Sequence, residues 1–342
     1  MKIGSFDTDK DGTFIIAELS ANHNGDINIA IDSIRAAKKA GANAIKLQTY
    51  TPDTITLNCS NKDFTINSNT IWDGRNLYDL YSEAYTPWEW HENLFKVAEE
   101  EGLVCFSSPF DHSAVDFLEE LSVPAYKIAS FEITDIPLIE YTASKGKPII
   151  ISTGIASLED IELALATCRK VNNHQIALLK CTSSYPAPLE EANLQMIKTF
   201  KEEFDVEVGL SDHTLGIIAP IVSVAFGAKI IEKHFILDKN LGGPDSSFSL
   251  EEKEFKKMVL AVREAEKSIG KVSFELTPKQ ISGRDFCRSL YVCKDIKKGE
   301  VITSEHIKSV RPGFGLHPSK FNDVIGSKAC KNFKYGDRLE LE

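Results

Sequence analysis

Residues 206–235 read VEVGLSDHTLGIIAPIVSVAFGAKIIEKHF. VEVGLS (206–211) and AKIIEKHF (228–235) are short runs rich in β-branched residues. IIAPIVSVAFGA between them is apolar nearly all round, as a well-covered helix would be. This is a strand–helix–strand unit, and polar residues close each strand. The same unit recurs upstream. FIIAEL (14–19), AIKLQTY (44–50), LVCFSS (103–108), AYKIAS (125–130), PIIIST (148–153) and IALLKCT (176–182) make eight strand candidates in all. Each is followed by a segment of helical periodicity, the last being LEEKEFKKMVLAVREAEKSIG at 250–270. Eight such units with short connections predict a parallel sheet closed into a TIM (β/α)8 barrel over residues 1–270. An open dinucleotide-binding sheet would carry GxGxxG after its first strand, where this chain has ANHNG (21–25).

Downstream the pattern changes. Residues 271–285 read as a linker and 286–342 as a small β-rich domain. Its phrases KDIKKGEVIT (294–303) and KNFKYGDRLEL (331–341) repeat one scheme of strand, basic glycine turn and strand. One connection inside the barrel is long: residues 51–86, rich in Asn, Asp, Thr and Tyr, read as a substrate lid or wall, or else as a surface excursion.

The whole chain has 342 residues with 39 Lys+Arg against 50 Asp+Glu, a net charge of -11 that disfavours nucleic-acid partners. Hydrophobic residues at 42% and charged residues at 26% describe a well-cored globular protein. No apolar run approaches the roughly 20 residues a membrane helix needs. The N-terminus lacks the apolar centre of a signal peptide, and the 7 cysteines form no CxxC pair. A cytoplasmic setting with reduced thiols is expected, without membrane or nucleic-acid partners.

In such a barrel chemistry collects where the strands end. Those ends supply Glu18, Asn22 and His23; Lys46 and Gln48; Ser107 and Ser108; Lys127, Ser130 and Glu132; Ser152 and Thr153; Lys180, Thr182, Ser183 and Tyr185; Ser211, Asp212 and His213; and Glu232 and His234. Taken together they read as an anion site beside a metal or acid/base site. Singly, each has a plainer reading. A lysine can pair with a nearby carboxylate, and a serine can cap the next helix, as Ser157 or Thr214 would. His213 and His234 end adjacent strands and can converge on one ion, with positions left over for water and substrate oxygens. Arg311, beside Pro312 and a glycine-rich turn, reads alone as a surface arginine.

The phrases AELSANHNG, AIKLQTY, SSPF, YKIAS, STGI, GLSDHT, EKHF and GGPD, followed by VRPGFG in the tail, resemble the sialic acid synthase family along nearly the whole chain. The tail resembles its SAF, or antifreeze-like, domain. IGSF (3–6), WDGRNLYDLY (72–81) and RSLYVCKDIKKGE (288–300) are most similar to the pseudaminic acid synthases of that family. The resemblance implies metal-dependent condensation of phosphoenolpyruvate with 2,4-diacetamido-2,4,6-trideoxy-L-altrose. N-acetylneuraminate or legionaminate synthesis is the alternative within the family, and a non-catalytic sugar- or ice-binding protein the alternative outside it.

By matched position, the resemblance implies that Lys46 contacts phosphoenolpyruvate and Gln48 the sugar. Ser108, Lys127, Ser130, Ser152 and Ser211 would hold phosphate and carboxylate. His213 and His234 would bind Mn, Mg or Co. Glu18, Tyr185 and Asp245 fall on the sugar side, and Glu132 near the reacting carbon, with Glu18 its rival for handling water. Ser183 stands in TSSYP (182–186), where N-acetylneuraminate synthases carry asparagine. Arg311 matches an arginine that enters the partner's barrel, which implies a domain-swapped homodimer.

Overall fold

The structure, a computed structural model, describes residues 1–67 and 72–340. It divides into two compact units, Met1–Gly270 and Lys271–Glu342. In the first, eight parallel strands close into a barrel: β1 Phe14–Glu18, β2 Ala44–Thr49, β3 Val104–Pro109, β4 Tyr126–Ile128, β5 Ile149–Ser152, β6 Ile176–Cys181, β7 Glu207–Asp212 and β8 Ile230–His234. Closure is between β8 and β1, with His234 opposite Glu18. The predicted (β/α)8 architecture is therefore the one observed.

The outer ring is α1 Ile27–Ala40, α2 Trp88–Glu100, α3 His112–Glu120, α4 Ile136–Ser144, α5 Leu158–Lys170, α6 Gln195–Phe204, α7 Ile218–Ala225 and α8 Glu252–Ile269. Local chemistry marks the helix starts. The side chains of Asp26, Asp111, Asp135 and Ser157 accept hydrogen bonds from the freed N–H groups of α1, α3, α4 and α5. Thr214 does not cap α7. Its own N–H donates to Asp212 Oδ1, and its carbonyl accepts from Lys233. Nor is α7 covered all round, because Ile218 and Val222 are 56% and 40% exposed, with Leu215 bare beside them. Only its other face, through Ala219 and Val224, reaches the core.

Strand alternation sorts the side chains. Inward positions low in the barrel, including Phe14, Ile16, Phe106, Ile150, Leu179 and Ile230, form a closed apolar plug. A two-rung N-terminal hairpin, Lys2–Ile3 paired with Phe6–Asp7, packs Ile3 and Phe6 against that plug. The Phe6 and Phe14 rings lie 4.9 Å apart. The long connection contains helices at Pro52–Ile55 and Leu77–Ala84, while its residues 68–71 lie outside the described part.

In the second unit, the stretch expected to be a plain linker carries a helical turn, Pro278–Gly283. Thr277 caps it by accepting from the Gln280 N–H, and Gln280 Oε1 in turn accepts from the Thr277 N–H, as the spacing T-P-K-Q permits. Strands β9 Ser289–Val292 and β10 Ile307–Val310 pair antiparallel. The two repeated phrases pair with each other: Ile296 N–H donates to Phe333 O at 2.9 Å, and Phe333 N–H donates back at 2.8 Å. Both residues are buried in one small core with Leu290, Ile302 and Leu339. Gly299 and Gly336 sit at matching turn positions with φ of 83° and 88°, a conformation glycine adopts without steric cost. All seven cysteines are unpaired. Among the described residues no helix is long and apolar enough to cross a membrane.

Candidate active site

The inward alternation continues above the apolar plug with polar residues, and these surround a cavity of about 620 Å3. Glu18, Lys46, Gln48, Lys127, Ser130, Glu132, Ser152, Ser183, Tyr185, Ser211, His213, His234 and Asp245 all line it. Ser108 does not reach the cavity surface; it is buried beside Lys46 and accepts from its Nζ at 3.2 Å. Arg311 is an exposed residue of the second unit, directly after β10.

Two buried lysines form the floor. Lys46 Nζ lies 2.7 Å from Glu18 Oε2 and 3.9 Å from Glu232 Oε2. Lys127 Nζ donates to Ser152 Oγ at 2.6 Å and lies 3.8 Å from Glu232 Oε1, which also accepts from Ser211 Oγ at 3.0 Å. Gln48 Nε2 donates to Glu18 Oε1 and Ser20 Oγ. Charge buried this deeply must be compensated. Burial pushes the Glu18 carboxyl up to about 7, against the pull of Lys46. Burial also opposes the charge of Glu232, yet Lys127 and Lys46 hold it below its ordinary value. Burial drives Lys127 down, with Glu232 opposing. Glu232 is thus shared between two ammonium groups, and its Oε2 accepts no hydrogen bond.

Above the floor, Gly154 N–H donates to Ser130 Oγ at 3.1 Å. A Cβ on Gly154 would stand 2.0 Å from Ser183 Oγ, so this turn needs glycine for both serines to face the cavity. Glu132 follows Ser130 on a 3-10 turn, Ser130–Thr134. Burial raises its carboxyl to about 7 against the pull of Lys127, and its Oε2 is buried without a hydrogen bond.

The histidine pair stands at the ends of β7 and β8, with ring centroids 5.3 Å apart. His213 Nδ1 faces the Thr182 carbonyl at 3.0 Å, so Nε2 is the nitrogen left for an ion. His234 Nδ1 is buried with no hydrogen-bond partner, and Asp245 Oδ2 lies 3.8 Å away. Burial and the neighbouring His213 hold His234 well below its ordinary value, hence neutral, as a metal ligand must be. Among the described residues no three of His, Cys, Asp and Glu could hold an ion by themselves. Two imidazoles with an orphaned ring nitrogen fit a divalent cation whose other positions go to water and substrate oxygens. Tyr185 and Phe248 pack on both rings' surroundings, at 4.5 Å from His213 and 4.9 Å from His234 respectively.

Several of these residues turn away from the cavity, Lys180 and Ser107 because neighbours along a strand alternate faces, Asn22 and His23 because they lie in the turn after β1. Lys180 points outward to the Cys181 carbonyl and Thr182 Oγ1. Ser107 pairs with Thr49, and His23 with Thr86. Asn22 Nδ2 donates to the Phe235 carbonyl and Ser249. Asp212 and Lys233 join in a buried ion pair of 2.6 Å behind the two histidines. Motif reading passed over three inward groups. Cys181 lies 3.7 Å from His213 Nδ1, and parity along β6 would have found it. Glu232 is legible as a strand-end carboxylate, but the motifs give it no role, and the structure sets it between both lysines. The third is the apolar face of Leu77–Ala84, whose i, i+3, i+4, i+7 spacing was legible.

Comparison with known proteins adds a second line. A NeuB family model matches residues 33–274 and a SAF domain model residues 288–339. A pseudaminic acid synthase of Campylobacter jejuni subsp. jejuni serotype O:2 is 52% identical over 340 residues, covering 99% of this chain and 98% of its own. One from Helicobacter pylori is 49% identical over 329 residues, covering 96% of each. Among solved structures, an N-acetylneuraminic acid synthetase from Leptospira borgpetersenii superposes with a TM-score of 0.73 at 33% identity. That match covers 83% of this chain and 94% of the other.

Proposed function

The chain belongs to the NeuB family, and on that footing we propose that it is an enzyme condensing phosphoenolpyruvate with 2,4-diacetamido-2,4,6-trideoxy-L-altrose and water. The products are pseudaminic acid, the compound named in its Campylobacter and Helicobacter relatives, and phosphate. The observation that carries the reading is convergence: a two-lysine floor and a two-imidazole pair line one cavity.

Lys46 and Lys127 neutralise the phosphate and carboxylate of phosphoenolpyruvate, with Ser130, Ser152 and Ser211 as neutral donors. Ser108 acts through Lys46, which it steadies from behind. Gln48, Tyr185 and Asp245 face the sugar, and Ser183 faces the cavity beside Tyr185. A divalent cation on His213 and His234, whether Mn, Mg or Co, would supply Lewis-acid polarisation of the acceptor's aldehyde oxygen. Positioning of the two substrates can contribute about 7 kcal/mol at best geometry. The methylene carbon of phosphoenolpyruvate bonds to the aldehyde carbon as the carbonyl π bond breaks, and the alkoxide so formed is protonated to a hydroxyl, the two protons of the water consumed ending on this oxygen and on the departing phosphate. Water adds to the cationic enol carbon, and the resulting hemiketal expels phosphate. Glu132, with a carboxyl near neutrality in pH, takes the proton of that water; Glu18 is held by Lys46 and Gln48 instead.

A homodimer in a cytoplasmic setting completes the reading, with Arg311 of one subunit reaching the sugar in the other's barrel. Val272 and Phe274, 99% and 100% exposed, and the bare face of α7 support it, since apolar surface of this kind is normally covered.

Phosphate release is the test. With phosphoenolpyruvate and Mn, the diacetamido altrose should release phosphate while N-acetylmannosamine and the legionaminate precursor release little. Equal release from all three would remove the acceptor assignment; release from none would leave a binding protein.

A further inference from the structure

The cavity has two unlike halves. Its floor is charged; much of its wall is the helix Leu77–Ala84. Of those residues Leu77, Leu80, Tyr81 and Ala84 line the cavity, the i, i+3, i+4 and i+7 positions that share one helix face. Phe110 extends the apolar surface, and Tyr50 braces it, edge-on to Tyr81 at 5.7 Å and to Phe110 at 5.1 Å. The helix is tied from its other side. Asn76 caps it by accepting from Tyr78 N–H, and Asn76 Nδ2 donates to the Cys59 carbonyl at 2.8 Å. Tyr78 Oη donates to Asp53 at 3.1 Å. The polar residues Asp79, Ser82 and Glu83 fall on that outer side of the sequence.

We infer that this helix selects the acceptor, by offering methyl groups an apolar surface where a hydroxyl would lose its water. The inference rests on the function proposed above. That acceptor carries three methyl groups, two on acetamido substituents and one at C6, and a single hydroxyl, at C3, besides its hemiacetal. Asp63, Thr65 and Asn67 of the same connection also line the cavity, but the helix face itself, three aliphatic side chains and the Tyr81 ring, carries no charge and suits this sugar better than a hexose with hydroxyls at C4 and C6. Burying an unpaired hydroxyl against such a surface is unfavourable, and an apolar pocket discriminates by about 100-fold.

The experiment compares kcat/KM for the 6-deoxy acceptor and its 6-hydroxy counterpart in the full-length enzyme. The wild type should favour the deoxy sugar by about 10- to 100-fold. Leu77→Gln should lower that ratio by about 10-fold, leave the KM for phosphoenolpyruvate unchanged, and be rescued by Leu77→Met. Leu77 is half-buried, so Ala84→Ser, a one-atom change on the same face, carries the test if Leu77→Gln folds poorly. A ratio unmoved in these variants, or an equal fall for both sugars, overturns the inference. A wild type inactive on the diacetamido sugar would instead overturn the function on which it rests.

Discussion

The ends of β7 and β8 bury charge on both faces and treat it in opposite ways. On the outer face Lys233 donates to Asp212 Oδ2 at 2.6 Å and to the Thr214 carbonyl, while Asp212 Oδ1 accepts from Thr214 N–H. Those groups are satisfied by one another. On the inner face, one residue to either side of Lys233 on β8, Glu232 Oε2 and His234 Nδ1 are also buried and accept nothing. Buried polar atoms normally find partners, and leaving one unpaired costs about 1–3 kcal/mol. A fold that solves the problem outside and leaves it open inside is holding the inner groups for guests.

Four changes break or sharpen that contrast. The largest effect is expected from His234→Ala, which removes one of the two proposed protein ligands. Turnover should fall about 1000-fold or more and Mn2+ binding should be lost, while circular dichroism stays native. Full activity in a metal-stripped wild type would refute the ligand role. Next is Glu132→Gln, worth about 100- to 10,000-fold if the carboxylate is the base. Because this group acts when ionised and its value is raised to about 7, the wild-type rate should climb through pH 7 and level above it. Persistence of that acid limb in the Gln variant would hand the role to Glu18, whose carboxyl is raised to a similar value.

Lys233→Met strands Asp212 in the apolar shell. Chemical denaturation should show a loss of about 3–5 kcal/mol, and Mn2+ affinity should drop about 10- to 100-fold as the histidine-bearing strand ends loosen. An affinity loss without a stability loss would mean that Lys233 senses the metal directly. The smallest effect belongs to the double variant Lys233→Met, Asp212→Leu. Removing both charges should restore stability to within about 1 kcal/mol of wild type. Failure to recover would show that the pair holds more than itself.

Much of this was legible in the chain. Alternating β-branched and 3.6-periodic segments located every barrel strand, because each must feed one sheet with two buried faces. Ser157 read as a helix cap, and it is one, closing a capping box with Asp160. What stayed hidden depends on parity and depth. Lys46 and Lys180 look alike at strand ends, yet one faces the cavity and the other the helices, a distinction fixed only by strand register. Thr214 had the composition of a cap, but Asp212 and Lys233 claimed its backbone first. Ser108 read as a cavity donor, but it is buried behind Lys46 and accepts from its Nζ, which the strand-end position alone does not reveal.

The hairpin of Ile3 and Phe6 beneath the strands has a kinetic consequence. It closes the lower end of the barrel behind the apolar plug, so guests enter by the mouth where the strands end, and whatever lodges deepest must arrive first and depart last. On the proposed reading the three-carbon acid sits at the bottom and the sugar nearer the entrance. Steady-state patterns should therefore show compulsory order, with the sugar unable to bind productively to the empty protein. Random-order kinetics would mean that a second passage exists.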